Sequence, residues 1–188
     1  GDQSPTGEQP TVADIDGDLK MLSQRLTSIR TYSSLGPLAE LPRLADQYGL
    51  KVLQGIWVDE DSDRSRREIE AGVPASRAKS VTAILVGNES ILRNDLTVPE
   101  LARYLDEVRK RTGKPVSTAE PWSTWMAHPE LAQHVDFIAM HVLPYWEETT
   151  TETAFPYTAD ALRQMRARFP DKKLVVAEVG WPSDGLSL

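Results

Sequence analysis

Apolar positions along the chain alternate between two patterns: short runs rich in β-branched residues, and longer stretches with apolar residues three or four apart. Residues 28–33, 51–58, 81–87, 115–119, 135–142 and 173–179 form the short runs. Their nearly unbroken apolar character predicts strands covered on both faces. Between them the period becomes helical. Ile15, Leu19, Leu22 and Leu26 share one face, as do Leu38, Leu41, Leu44 and Ala45. Thr97-Val98-Pro99-Glu100 reads as a capping box with proline in the first turn, followed by a stripe of Leu101, Leu105 and Val108. A further stripe of Ala161, Leu162, Met165 and Phe169 follows Thr158, the expected N-cap. Residues 62–80 are polar and interrupted by Gly72 and Pro74, which predicts short helices or loop.

Strands alternating with helices imply a parallel α/β sheet. Either an open doubly wound sheet or a (β/α)₈ barrel fits the alternation. The glycine-rich phosphate fingerprint of dinucleotide folds is absent.

Composition narrows the function classes. The 188 residues suit one domain over 1–188. With no cysteine, thiolate chemistry and disulfides are excluded. The net charge is −7 with scattered Lys and Arg, so no basic surface for nucleic acid is expected. No apolar stretch has bilayer-spanning length, so no membrane contact is expected from this segment.

Chemistry gathers at the predicted strand ends. Trp57, Trp122, Trp125, Trp146 and Trp181 each fall at or just after one. In parallel α/β folds that end carries the ligand site, and flat aromatic faces suit pyranose rings. Carboxylates recur there too: Glu89 after Val86-Gly87-Asn88, Glu120 after Thr118-Ala119, and Glu178 after Ala177. A carboxylate ending a buried strand is costly unless paired or used. Glycosidic cleavage uses two such groups. Glu89 and Glu178, remote in sequence, meet only if the strands wrap a common axis, which favours the barrel. Asp59, Asp61, Asp63, Ser65 and Glu70 imitate a calcium-loop spacing. Arg64 stands where that loop requires glycine, and a strand precedes it, so a solvated loop is the better reading.

Leu174-Val175-Val176-Ala177-Glu178-Val179-Gly180-Trp181-Pro182-Ser183 resembles the nucleophile strand of glycoside hydrolase family 17, the β-1,3-glucanases and glucanosyltransferases. Ile84-Leu85-Val86-Gly87-Asn88-Glu89 is similar to that family's acid/base strand. Arg30-Thr31-Tyr32-Ser33-Ser34, Gln54-Gly55-Ile56-Trp57-Val58, Ala119-Glu120-Pro121-Trp122 and Phe137 to Trp146 resemble further strands of its compact bacterial branch. Val179 departs from the small or hydroxylated residue of plant members.

The resemblance implies a partial (β/α)₈ TIM-type barrel, with strands two to seven present and strands one and eight missing. Residues 1–10 would be the loop after strand one. It implies a retaining enzyme without cofactor or metal, with carboxyl groups about 5–5.5 Å apart. Glu178 would be the nucleophile and Glu89 the acid/base, held neutral by burial and by its negative neighbour. Asn88 would meet the sugar 2-hydroxyl, and Tyr145 or His141 would orient the nucleophile or bind substrate. Tyr32, Arg30, Glu120, Trp122, Trp146 and Trp181 complete the expected substrate contacts, with Trp125 and Trp146 on the acceptor side. The partner implied is a β-glucan oligosaccharide, in a periplasmic or secreted setting. Hydrolysis, transglycosylation and a non-catalytic glucan-binding role stay open, and unpaired sheet edges would favour self-association.

Overall fold

The computed structural model describes residues 9–147 and 149–182, so most of the expected leading loop and Ser183 lie outside the described residues. Six strands, β1 (Ser28–Arg30), β2 (Lys51–Ile56), β3 (Val81–Asn88), β4 (Val116–Pro121), β5 (Ile138–Val142) and β6 (Leu174–Val179), form one sheet in chain order. Every neighbouring pair is parallel. Helix α1 (Val12–Leu22) precedes the sheet. The crossovers carry α2 (Leu41–Gln47), α3 (Ser62–Ala75), α4 (Val98–Thr112), α5 (Trp122–Ala127) and α6 (Thr151–Arg168).

Strand alternation sorts side chains into two apolar layers. Val52, Ile56, Ile84, Val86, Ile138 and Met140 pack outward with helix residues such as Leu19, Ile69, Leu101, Leu105 and Met165. Leu85, Ala119, Phe137 and Ala139 instead cluster with Leu53, Ala83, Val175 and Ala177. A second, inner layer requires a curled sheet. Arg30 on β1 donates to the Ala177 carbonyl on β6 at 3.0 Å, joining the first and last strands by a side chain. Among the described residues β1 and β6 share no ladder pair, so the barrel is nearly closed. Its interior opens into a cavity of 770 Å³ that reaches Lys51 and Lys173 at the opposite end from the strand C-termini.

Local chemistry explains the helices and corrects two expectations. Thr97 and Glu100 form the predicted capping box on α4, and Gly113 ends that helix in the left-handed region. Residues 62–80, expected to be broken, hold one continuous helix, α3, capped by Asp61. Pro74 sits in its last turn, where little of the helix remains to be broken. Gly72 marks a close approach rather than a break, since a Cβ there would lie 2.6 Å from the Ile56 side chain. Helix α6 begins at Thr151 with Thr150 as its cap, not at Thr158. Thr158 turns its hydroxyl back to the Ala154 carbonyl inside the helix.

Candidate active site

With all strands parallel, their C-terminal ends gather Arg30, Tyr32, Asn88, Glu89, His141 and Glu178 at one mouth. The Arg30 guanidinium is the hub. One nitrogen donates to Glu178 Oε1 at 2.9 Å, and the other donates to Asn88 Oδ1. The Tyr32 hydroxyl donates to the same Glu178 oxygen at 2.9 Å. His141 bridges the two glutamates, with Nδ1 2.7 Å from Glu89 Oε1 and Nε2 3.3 Å from Glu178 Oε1. One ligand atom from each of Glu89, His141 and Glu178 lies within 4.8 Å of the others.

Irregular pairing aims these groups. Leu85 to Asn88 on β3 runs opposite Ser117 to Ala119 on β4, so β3 holds one extra residue. On β6, Val176 and Glu178 oppose the adjacent residues Met140 and His141, so Ala177 is skipped. Bulges of this kind re-aim side chains. Glu89 itself follows with φ +55°, a left-handed conformation uncommon outside glycine.

The electrostatics overturn one expectation. The hydrogen bond from His141 holds the Glu89 carboxyl below the ordinary range, helped by the charges of His141, Arg93 and Arg30. Burial opposes this but does not prevail. Glu89 is therefore held ionised in the ligand-free protein, not neutral. Burial, followed by the bond to Glu178, pushes the Tyr32 hydroxyl up. Two carboxylates and an imidazole have metal-ligand chemistry, but the pocket fits a metal poorly. Both imidazole nitrogens are engaged, and Arg30 already provides the cation beside Glu178.

The aromatic residues divide. Trp146 is 71% exposed beside a cavity of 380 Å³ lined also by Glu89, Leu92, Ser123, His141 and Glu147. Tyr145 packs edge-on against Trp146 and Trp181, at 5.1 and 5.5 Å between ring centroids. Trp122 is half-buried, with its indole N–H donating to Tyr157. Trp125, expected on the acceptor side, is fully buried and donates to the Ala139 carbonyl, so it is a core residue. Glu120, expected to touch substrate, is also fully buried. It accepts the backbone N–H groups of Ile91 and Leu92. Asp59, Asp61 and Glu70 diverge to Trp57 and Arg64, to the α3 cap and to Arg111, so no calcium loop forms.

Two residues were missed. Glu68 on α3 is buried and accepts from the Ser33 hydroxyl and the Ser34 and Trp57 amides, tying together the loops after β1 and β2. Its sequence signal is a glutamate on the stripe Ser65, Glu68, Ile69 and Gly72, which is the buried face of α3. Arg93 donates to the Asn88 carbonyl and covers the Trp57 ring, 4.9 Å from its centroid. No spacing rule flags it.

The family model for the BtgE/BtgC glycoside hydrolase domain matches residues 2–187. A Saccharomyces cerevisiae glucan 1,3-β-glucosidase is 25% identical over 98% of this chain and 67% of its own length. An Arthroderma benhamiae glucan 1,3-β-glucosidase is 29% identical over 98% of this chain and 65% of its own length. A Rhizomucor miehei β-1,3-glucanosyltransferase, solved as an active-site mutant with laminaritriose, superposes with a TM-score of 0.86 at 25% identity, covering 96% of this chain and 70% of that one. A second structure of that glycoside hydrolase family 17 enzyme gives 0.82. The chain thus spans about two thirds of the length of these relatives. They bear out the family 17 resemblance, but all are fungal, which leaves the bacterial branch unsupported.

Proposed function

The chain belongs to the BtgE/BtgC glycoside hydrolase domain family, and we propose that it cleaves β-1,3-linked glucan with retention of anomeric configuration. The observation that carries this reading is the approach of Glu89 and Glu178 carboxylate oxygens to within 4.8 Å. Retaining pairs stand about 5–5.5 Å apart, whereas inverting pairs need roughly 6.5–9.5 Å to admit a water.

Glu178 is the nucleophile. The contacts from Arg30, Tyr32 and His141 all fall on Oε1, which orients the group and leaves Oε2 to attack the anomeric carbon. Glu89 protonates the departing oxygen and then deprotonates the acceptor. A bound sugar replaces water around Glu89, and this desolvation favours the protonated form that the ligand-free site lacks. Asn88, fixed by Arg30, meets the 2-hydroxyl, while Tyr145, Trp146 and Trp181 offer ring faces to neighbouring sugars.

Glucosyl transfer uses the same residues. The exposed Trp146 beside the Glu89 cavity favours this second outcome, because a stacked sugar there would reach the intermediate before water. No helix among the described residues is long and apolar enough to cross a membrane. We place the enzyme outside the cytoplasm, where polymeric glucan is met.

The test uses the full-length protein. Glu178→Ala and Glu89→Ala should each abolish turnover of laminari-oligosaccharides. On 2,4-dinitrophenyl β-laminaribioside, whose leaving group needs no proton, azide should rescue both variants with opposite anomeric outcomes, an α-glycosyl azide from the Glu178 variant and a β-glycosyl azide from the Glu89 variant. Substantial residual activity in either variant rejects the assignment. Products longer than the starting sugar mean transfer, and shorter ones alone mean hydrolysis.

A further inference from the structure

Glu120 is a carboxylate for which neither substrate binding nor bond cleavage has a use. It closes β4, is fully buried, and spends both oxygens on successive backbone amides, Ile91 N–H at 2.9 Å and Leu92 N–H at 3.3 Å. Those amides belong to the turn that begins at Glu89. The adjacent residue of β4 acts on the same turn, because the Glu89 amide donates to the Ala119 carbonyl at 2.7 Å. The Ser90 hydroxyl anchors it from the other side, on the Val58 carbonyl at 2.8 Å. A non-glycine residue at φ +55° is strained and persists only where its surroundings over-determine it. Here β4 supplies most of that constraint. Two successive N–H groups need two acceptor oxygens, which a carboxyl group provides and an amide side chain does not.

We propose that Glu120 is a positioning residue for Glu89: it grips the Ile91 and Leu92 amides and so fixes the strained turn that aims the acid/base carboxylate at the glycosidic oxygen. This rests on reading Glu89 as the acid/base. Glu120 never touches sugar, and its effect appears only where protonation of the leaving group matters.

That requirement supplies the test. In the full-length protein, kcat/KM is measured on a laminari-oligosaccharide, whose alcohol leaving group needs a proton. It is measured again on 2,4-dinitrophenyl β-laminaribioside, whose phenolate leaves unaided. Glu120→Gln, which sets an NH₂ donor against an N–H donor, should lose at least ~10-fold on the oligosaccharide. It should stay within ~2-fold on the aryl glycoside. Glu120→Asp keeps both acceptor oxygens with a shorter reach, and should show the same selectivity with a smaller loss. If the glutamine variant does not fold, the aspartate variant decides by the same ratio. Equal losses on both substrates, or no loss on either, overturn the proposal. Glu89→Ala on the same pair separates the two readings. If it is selective and the Glu120 variants are not, only the positioning role falls. If Glu89→Ala is not selective, the acid/base reading falls and the positioning role with it.

Discussion

His141 Nδ1 lies 2.7 Å from Glu89 Oε1, a contact that holds the acid/base candidate ionised while the site is empty. Removing the imidazole removes the largest influence that lowers the Glu89 pKa. In His141→Ala the alkaline limb of kcat/KM, where Glu89 loses its proton in the free enzyme, should therefore move to higher pH. A limb that stays in place, or moves down, would dissociate Glu89 from that limb.

Tyr32 and Arg30 share one oxygen of Glu178. Tyr32→Phe deletes a hydrogen bond to a charged group, although a half-exposed one. A loss of roughly tenfold in kcat is expected, since tenfold corresponds to about 1.4 kcal/mol and such bonds are worth about 1.5–3. Steady-state kinetics should show the effect in kcat rather than in folding. An unchanged kcat would mean that Arg30 alone orients the carboxylate.

Glu68 joins two loops at the mouth from beneath. Glu68→Ala strands the Ser34 and Trp57 amides in a buried setting, which should destabilise by about 2–4 kcal/mol. Urea denaturation measures this directly. Activity should fall as well, because the loop that carries Tyr32 loses its tether.

Gly55 sits where β2 passes under the turn after β1. A Cβ there would lie 2.4 Å from the Thr31 carbonyl oxygen and 2.6 Å from the Tyr32 backbone. Gly55→Ala should cost about 1–3 kcal/mol as a small-to-large change against backbone. The displaced Tyr32 should lower kcat further.

Burial pushes Glu120 from its ordinary 4.5 up to about 7, with Glu89's charge adding to the shift and the Ile91 and Leu92 amides and Arg93 opposing it. Between those values the folded chain binds the proton that the unfolded chain has released. Stability from this group therefore falls as pH rises from about 4.5 to about 7, and the loss persists above that. Glu68, also raised by burial, tilts the curve the same way. Glu89, whose pKa is lowered, acts oppositely and only below its ordinary range. Denaturation across pH 4.5–7.5 should show a downward slope in the wild type that is shallower in Glu120→Gln.

Much of the molecule is legible in its apolar pattern. The six strands fall where the β-branched runs place them, because a parallel strand buried on both faces has little room for other residues. The two glutamates are legible as carboxylates ending such runs. Direction is what the pattern does not carry. Alternation from Ala119 sends Glu120 away from the barrel axis, as observed. The same alternation from Ala177 would send Glu178 away too, but the skipped pairing at Ala177 turns it inward. That offset arises between strands, outside any one strand's own sequence. Trp125 fails for a related reason. It follows a strand end, yet the short helix α5 folds it back against β5.

The bond from Arg30 to the Ala177 carbonyl has a mechanical meaning. One guanidinium braces the β6 backbone from β1 while also steadying the group meant to attack. A ligand that draws Arg30 toward itself must loosen that brace, and a firmer brace must hold Glu178 more tightly. Catalytic tuning and barrel rigidity are thus coupled in this chain, and a substitution aimed at either one will register in both.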